Sequence, residues 1–273
     1  MHGNTLVDYP AFEFGSWNLI RLQSKVIGVA THSFVSLREN LDSLILDAVD
    51  IKIKSISFGN KSIDNFRQKN NLLVIYLPKK LTKNEGASVT ITYECVPKKG
   101  LYFIGWNDTL PYSQRQIWSQ GQGIDNRHWI PMFDDMSDKI TQDVIIRFNK
   151  HYQVISNGIL VEKKDLKNNV SEWHYRMTKP HAPYLIMLAI GKYKTKSFVS
   201  KQWCENYGVL LSGQGILCRY YFSLFGTNDG FFGEGNRFKL SVGAVFGSAC
   251  SGIHVWCDGK YDGYHFRRFF SGG

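Results

Sequence analysis

Ala87-Ser88-Val89-Thr90-Ile91-Thr92-Tyr93-Glu94-Cys95 decides the fold of this chain. Val89, Ile91 and Tyr93 alternate with Thr90, Thr92 and Glu94. A period of two puts the apolar side chains on one side of an extended strand and the polar ones on the other. Lys83-Asn84-Glu85-Gly86, just before it, is a turn cluster. The stretch reads as a half-buried β-strand entered through a turn.

The same texture extends in both directions. Upstream, strands are expected at Val26–Leu37, Ser43–Ala48, Val49–Phe58 and Asn71–Leu77, with a turn at Gly59–Asn60. Downstream, they are expected at Ile140–Asn149, Tyr152–Ser156, Gly158–Glu162, Val170–Met177 and Tyr184–Tyr193. Asn157-Gly158 carries the signature of a β-hairpin turn between two of them. No amphipathic helix of convincing length precedes Lys201. The expected architecture is mostly β, a saddle-shaped antiparallel β-sandwich domain over residues 1–201.

Composition allows such a core. Of 273 residues, 43% are hydrophobic and 14% aromatic. The net charge is +10, and residues 1–201 carry +9 of it, from 27 basic against 18 acidic side chains. A solvated basic face accounts for this, with an anionic partner as the alternative reading. There is no basic helix, zinc-finger spacing or aromatic RNA-binding motif, so no nucleic-acid partner is expected. No run of 18 apolar residues occurs, so no membrane span is expected. Met1–Trp17 has no signal-peptide pattern as it stands, which leaves the compartment open.

Gly105–Asp138 breaks the pattern, being rich in Trp, Gln, Asn, Asp and Pro without a period. A long irregular segment inside a β domain is usually a covering or functional loop. It includes Trp118-Ser119-Gln120-Gly121-Gln122, then Asn126-Arg127-His128-Trp129-Ile130-Pro131, then Asp134-Asp135. This resembles the N-domain signature of the gluzincin zinc aminopeptidases, the aminopeptidase N and leukotriene hydrolase group: Gln-x-Gln or Gln-x-Glu, then Arg, an aromatic, Pro and an acidic pair. Tyr184–Tyr193 looks like that family's last N-domain strand. The likeness covers about Val26 to Lys201, while Met1–Gln23 fits poorly.

The resemblance implies that Gln122 contacts the free amino group of a peptide substrate, with Gln120 nearby. A carboxamide oxygen can accept hydrogen bonds from an ammonium group. The alternative is that both glutamines bond only the loop backbone. Arg127, Asp134 and Asp135 read as a structural ion-pair network. The resemblance further implies zinc in the intact family protein, held by a helical His-Glu-x-x-His and a distant Glu. This chain contains no His-Glu-x-x-His and no Gly-x-Met-Glu-Asn, the family's grip on the substrate amino terminus. None of the eight histidines has a His partner four residues on. No catalytic residue, metal ligand or cofactor is therefore expected in this chain itself.

After Lys201 the texture changes. Residues 202–273 hold 14 of the 25 glycines and four of the five cysteines. Shifting the reading frame forward by one base lets Trp256–Lys260 be read as Gly-Ala-Met-Glu-Asn. In the same frame Tyr261–Phe269 permits Thr-Thr-Ala-Thr-Ile-Phe-Gly-Asp-Phe. Residues 202–273 are thus expected to be an out-of-frame translation of the start of a catalytic domain, and poorly structured. The competing reading of the tail is a genuine Gly- and Cys-rich module.

Three functions follow as expectations. The first is a truncated zinc metalloaminopeptidase, inactive as this chain and missing its catalytic domain. The second is a non-catalytic β-sandwich module that binds peptide or protein through Trp118–Asp135. The third is one half of an enzyme whose catalytic half is encoded separately.

Overall fold

A computed structural model of the chain describes residues 7–20, 24–106, 115–199 and 205–211. In chain order its strands are β1 (Val7–Ile20), β2 (Lys25–Ser36), β3 (Leu41–Asp47), β4 (Ile51–Phe58), β5 (Lys61–Ile63), β6 (Phe66–Lys69), β7 (Leu72–Leu81), β8 (Gly86–Cys95), β9 (Leu101–Ile104), β10 (Gln116–Ser119), β11 (Ile140–Asn149), β12 (Gln153–Ser156), β13 (Ile159–Asp165), β14 (Val170–His181), β15 (Leu188–Gly191), β16 (Tyr193–Val199) and β17 (Glu205–Leu211). The mostly β, antiparallel architecture is the one expected. Among the described residues only β1 and β11 pair in parallel.

An eight-stranded sheet has the order β13-β14-β11-β1-β2-β8-β4-β5. Its period-two sequences bury one face. Val26, Ala30 and Phe34 of β2, Val89, Ile91 and Tyr93 of β8, and Val144, Ile146 and Phe148 of β11 all point into the core. Onto it pack a three-stranded sheet (β3-β7-β6) and a four-stranded sheet (β12-β15-β10-β9). These contribute Leu44, Leu46, Leu73 and Ile75 from one and Leu101, Ile117, Leu188 and Ile190 from the other to a single apolar cluster. Burial of this area is the main stabilising term.

The opposite face of the large sheet is wet and ionic. Glu94 takes Lys25 at 2.8 Å and Lys54 at 2.7 Å, which holds its carboxyl down at about 2. Arg147 meets Glu172 at 2.6 Å, and Asp143 accepts from Arg176 at 3.0 Å. Part of the basic surface is thus a solvated sheet face.

Several elements differ from the sequence reading. β1 lies at the centre of the large sheet, between β2 and β11, where no strand was expected. Pro10 and Gly15 interrupt its period, and its pairing slips between Asp8 and Ala11 and again between Phe12 and Gly15. The irregular register accommodates both breakers. Asn157-Gly158 does not close a hairpin. β12 pairs with β15 in the small sheet and β13 pairs with β14 in the large one, so the dipeptide is a corner between sheets. Gly158 has φ +83°, and a Cβ there would lie 2.8 Å from Met177 Cα. Only glycine fits this close backbone approach. Short hairpin turns lie instead at Gly59-Asn60 (Gly59 φ 56°), where a turn was expected, and at Asn70-Asn71 (φ 54° and 65°) and Asn168-Asn169 (φ 60° and 57°).

Tyr184–Tyr193 is not one strand either. A 3-10 turn at Pro183–Leu185 precedes β15. Side chains rather than a neighbouring strand satisfy its backbone. Asn157 Nδ2 donates to Leu185 O, Ser156 Oγ to Met187 O, and Met187 N to Asn157 Oδ1. At the other end, β16 pairs with β17 from Tyr193↔Leu211 to Val199↔Glu205, across the boundary placed at residue 201. The rest of the tail expectation, residues 202–204 and 212–273, lies outside the described residues.

Candidate functional site

β10 ends at Ser119 and feeds the glutamine loop. Gln120 N donates to Gly100 O at 2.8 Å, which prolongs the β9–β10 pairing by one residue. Asp125 N donates to Gly121 O at 3.4 Å and closes the loop. Gln122, Gly123 and Ile124 are left exposed, Ile124 by 50%. Gln120 Nε2 donates to Gln122 Oε1 at 3.3 Å. The structure therefore brings the two glutamines named from the sequence together. The Gln122 oxygen keeps a second lone pair for another donor. Two residues upstream of Gln120, Trp118 packs on Tyr102 with ring centroids 4.9 Å apart.

Beneath the loop the polar groups are buried and tied. Asn126 is 0% exposed. Its Nδ2 donates to Pro183 O at 2.8 Å, and its Oδ1 accepts from Trp129 Nε1 at 2.9 Å. Ser119 Oγ accepts from Leu188 N at 2.8 Å. The loop is thus held from below by the turn that precedes β15.

Of the expected network of Arg127, Asp134 and Asp135, the Arg127–Asp134 pair is present, and Asp47 joins it. Arg127 Nη1 lies 2.9 Å from Asp47 Oδ1, closer than Nε to Asp134 Oδ2 at 3.6 Å. Arg127 also donates its backbone N–H to Asp134 Oδ2 at 3.0 Å and Nη2 to Asp134 O at 2.9 Å. Asp134 N donates to Asp47 Oδ2 at 3.2 Å. Burial pushes the Asp134 carboxyl up to about 6, against the pull of Arg127. Asp135 Oδ1 accepts from Ser137 N at 2.8 Å in a local turn. Nearby, His32 Nε2 bonds Pro131 O at 2.7 Å, and burial lowers this histidine to about 4. It is a neutral core residue.

Sequence reasoning missed Asp47, Asn126 and the role of Asn157. Asp47 carried a signal, being a carboxylate inside the apolar run Leu44-Ile45-Leu46-Asp47-Ala48. A charge in a buried strand calls for a partner.

The described side chains do not fit a zinc ion. No group of three His, Cys, Asp or Glu among them could hold a metal. The well-placed candidates are occupied: His32 on Pro131 O, His174 on Asp143, and Asp47 and Asp134 on Arg127. No helix of the described residues is long and apolar enough to cross a membrane.

Comparison with known proteins agrees with this fold. Leukotriene A-4 hydrolase of Xenopus laevis is 28% identical over 179 residues, covering 62% of this chain and 29% of that protein. Probable aminopeptidase 1 of Sulfurisphaera tokodaii is 25% identical over 171 residues, 62% of this chain and 20% of the relative. The chain spans about a fifth to three tenths of the length of these curated relatives. Among solved structures, a two-domain M1 zinc metallopeptidase mutant bound to L-tryptophan superposes with TM-score 0.65 at 16% identity, over 77% of this chain and 49% of that one. The M1 zinc metallopeptidase from Deinococcus radiodurans gives 0.64 at 15% identity, over 76% and 48%. At that identity the likeness is one of fold. The Peptidase M1 N-terminal domain family matches residues 18–185, more than half of the sequence, and this chain belongs to it.

Proposed function

We propose that this chain provides the substrate-facing β-wall of an M1 aminopeptidase, with Gln122 accepting a hydrogen bond from the free amino terminus of a peptide. The observation that carries this reading is the Gln120 carboxamide donating to that of Gln122, which is presented at the exposed tip of a loop whose base is buried. An ammonium group only donates, so it needs acceptors. Gln120 orients the Gln122 oxygen by donating to it, and leaves its own oxygen as a second acceptor. A neutral carboxamide can do this without the cost of desolvating a carboxylate.

The 273 residues contain no His-Glu-x-x-His, and the described donors do not cluster for a metal. On this reading the chain does not hydrolyse peptides unaided; hydrolysis belongs to a catalytic half outside it. The tail beyond about residue 201 is read as out of frame, supported by the adjacent shifted readings of Trp256–Lys260 and Tyr261–Phe269.

Titration of the full chain, ¹⁵N-labelled, with trialanine and with N-acetyl-trialanine tests the binding claim. The Gln120 and Gln122 side-chain amide signals should move with the free amine and stay still with the acetylated peptide. Equal movement with both would sink it. Release of free alanine upon zinc addition would overturn the claim of inactivity. For the tail, the coding DNA decides: stop codons in the plus-one frame after codon 201 would make it genuine protein.

A further inference from the structure

Gly121 lies between the two glutamines, and its position is set from below. A Cβ at Gly121 would stand 2.6 Å from Asn126 Cγ and Oδ1, and nearer still to Nδ2. Gly121 is not among the glycines with positive φ. Space, not backbone torsion, is what demands glycine here. The Asn126 carboxamide occupies the room that a side chain would take.

That carboxamide is fixed in turn. Its nitrogen donates to Pro183 O and its oxygen accepts from Trp129 Nε1, at 2.8 and 2.9 Å. A flipped amide would set donor against donor and acceptor against acceptor. Asn126 is fully buried, so either loss would leave a polar group unpaired away from water. One short side chain thus joins the glutamine loop, the 3-10 turn Asn126–His128 and the turn Pro183–Leu185.

We propose that Asn126 is a positioning residue for the Gln120–Gln122 pair: by filling the space under Gly121 it aims both carboxamides at the exposed side of the loop. It does not touch the peptide and acts on the amino terminus only through the glutamines. The assignment rests on the proposed role of Gln122, and the test separates the two.

The test uses the full-length chain with Asn126→Ser, which releases the lock, and Gly121→Ala, which pushes against it. Two quantities are read: the nuclear Overhauser contact between the Gln120 and Gln122 side-chain amides, and the affinity for trialanine against its acetylated form. In a folded variant, with the signals of β2, β8 and β11 unchanged, the contact should vanish. Trialanine affinity should fall by about tenfold, the size expected for losing one aimed hydrogen bond. A folded variant that keeps the contact overturns the proposal. Global unfolding of both variants also overturns it, because Asn126 would then be a residue of the whole core. If trialanine moves nothing in the parent chain, the role of Gln122 fails, and Asn126 is judged on the amide contact alone.

Discussion

The large sheet and the glutamine-loop region are built by different means. β2, β8 and β11 stand in a continuous ladder, in which each residue repeats the environment of the residue two positions away. The region formed by residues 116–134 and 181–191 has short strands, and its turns are closed by the side chains of Ser119, Asn126, Asn157 and Asp47. A ladder spreads its energy over many equivalent bonds. A set of side-chain locks concentrates it in a few residues, each hard to replace. Irregular backbone held by buried polar groups is also how a binding loop is kept in one shape.

The largest break in that contrast is expected at Trp129. It is 0% exposed and gives Nε1 to Asn126. Trp129→Ala should cost about 3–5 kcal/mol in urea unfolding. A loss under about 1 kcal/mol would mean that the loop base is not part of the cooperative core.

Next comes Asp47→Ala, which strips Arg127 of its closer carboxylate and Asp134 N–H of its acceptor. A loss of about 2–4 kcal/mol is expected, because the groups left behind are buried or nearly so. Leucine-scale losses from this small polar residue would distinguish lock from ladder.

The pH dependence of stability sharpens the same contrast, because two buried groups, His32 on β2 and Asp134 in the loop segment, oppose each other. His32 titrates near 4 when folded and near 6.5 when unfolded, so in that window the unfolded chain binds the extra proton. Its contribution to stability falls as pH drops from about 6.5 to about 4. Asp134 titrates near 6 when folded against an ordinary 3.8, so the folded chain binds the extra proton, and its contribution rises as pH drops over that range. Each slope approaches about 1.4 kcal/mol per pH unit. Relative to the parent, His32→Gln should therefore gain stability on acidification from pH 6.5 to 4, and Asp134→Asn should lose it from pH 6 to 4. Parallel curves for parent and variants would contradict this.

The smallest effect is expected on the wet face of the large sheet. Arg147 is 44% exposed and meets Glu172 at 2.6 Å. Arg147→Ala should change stability by less than about 1 kcal/mol, and 1 M salt should erase most of the difference. A larger, salt-insensitive loss would show that this face is not simply solvated.

Legibility followed the same division. Val89, Ile91 and Tyr93 announced their strand because one-sided burial repeats every two residues. The Gln120–Gln122 pair was legible through its motif, and the Arg127–Asp134 pair through its charges. Asp47 and Asn126 were not, because their partners lie 80 and 57 residues away in Arg127 and Pro183. β1 was hidden by Pro10 and Gly15, whose tolerance depends on slips in the pairing with β2 and β11.

What the sequence determined by itself is the β class, the face each regular strand buries and the place where irregular structure begins. Alternation and turn chemistry act between near neighbours and are written residue by residue. Only the tertiary structure decided that Asn157-Gly158 crosses between sheets instead of closing a hairpin, and that Asn126 sits under Gly121. A positive φ or a buried carboxamide is a local demand. What satisfies it is settled by which distant backbone the fold brings within bonding distance.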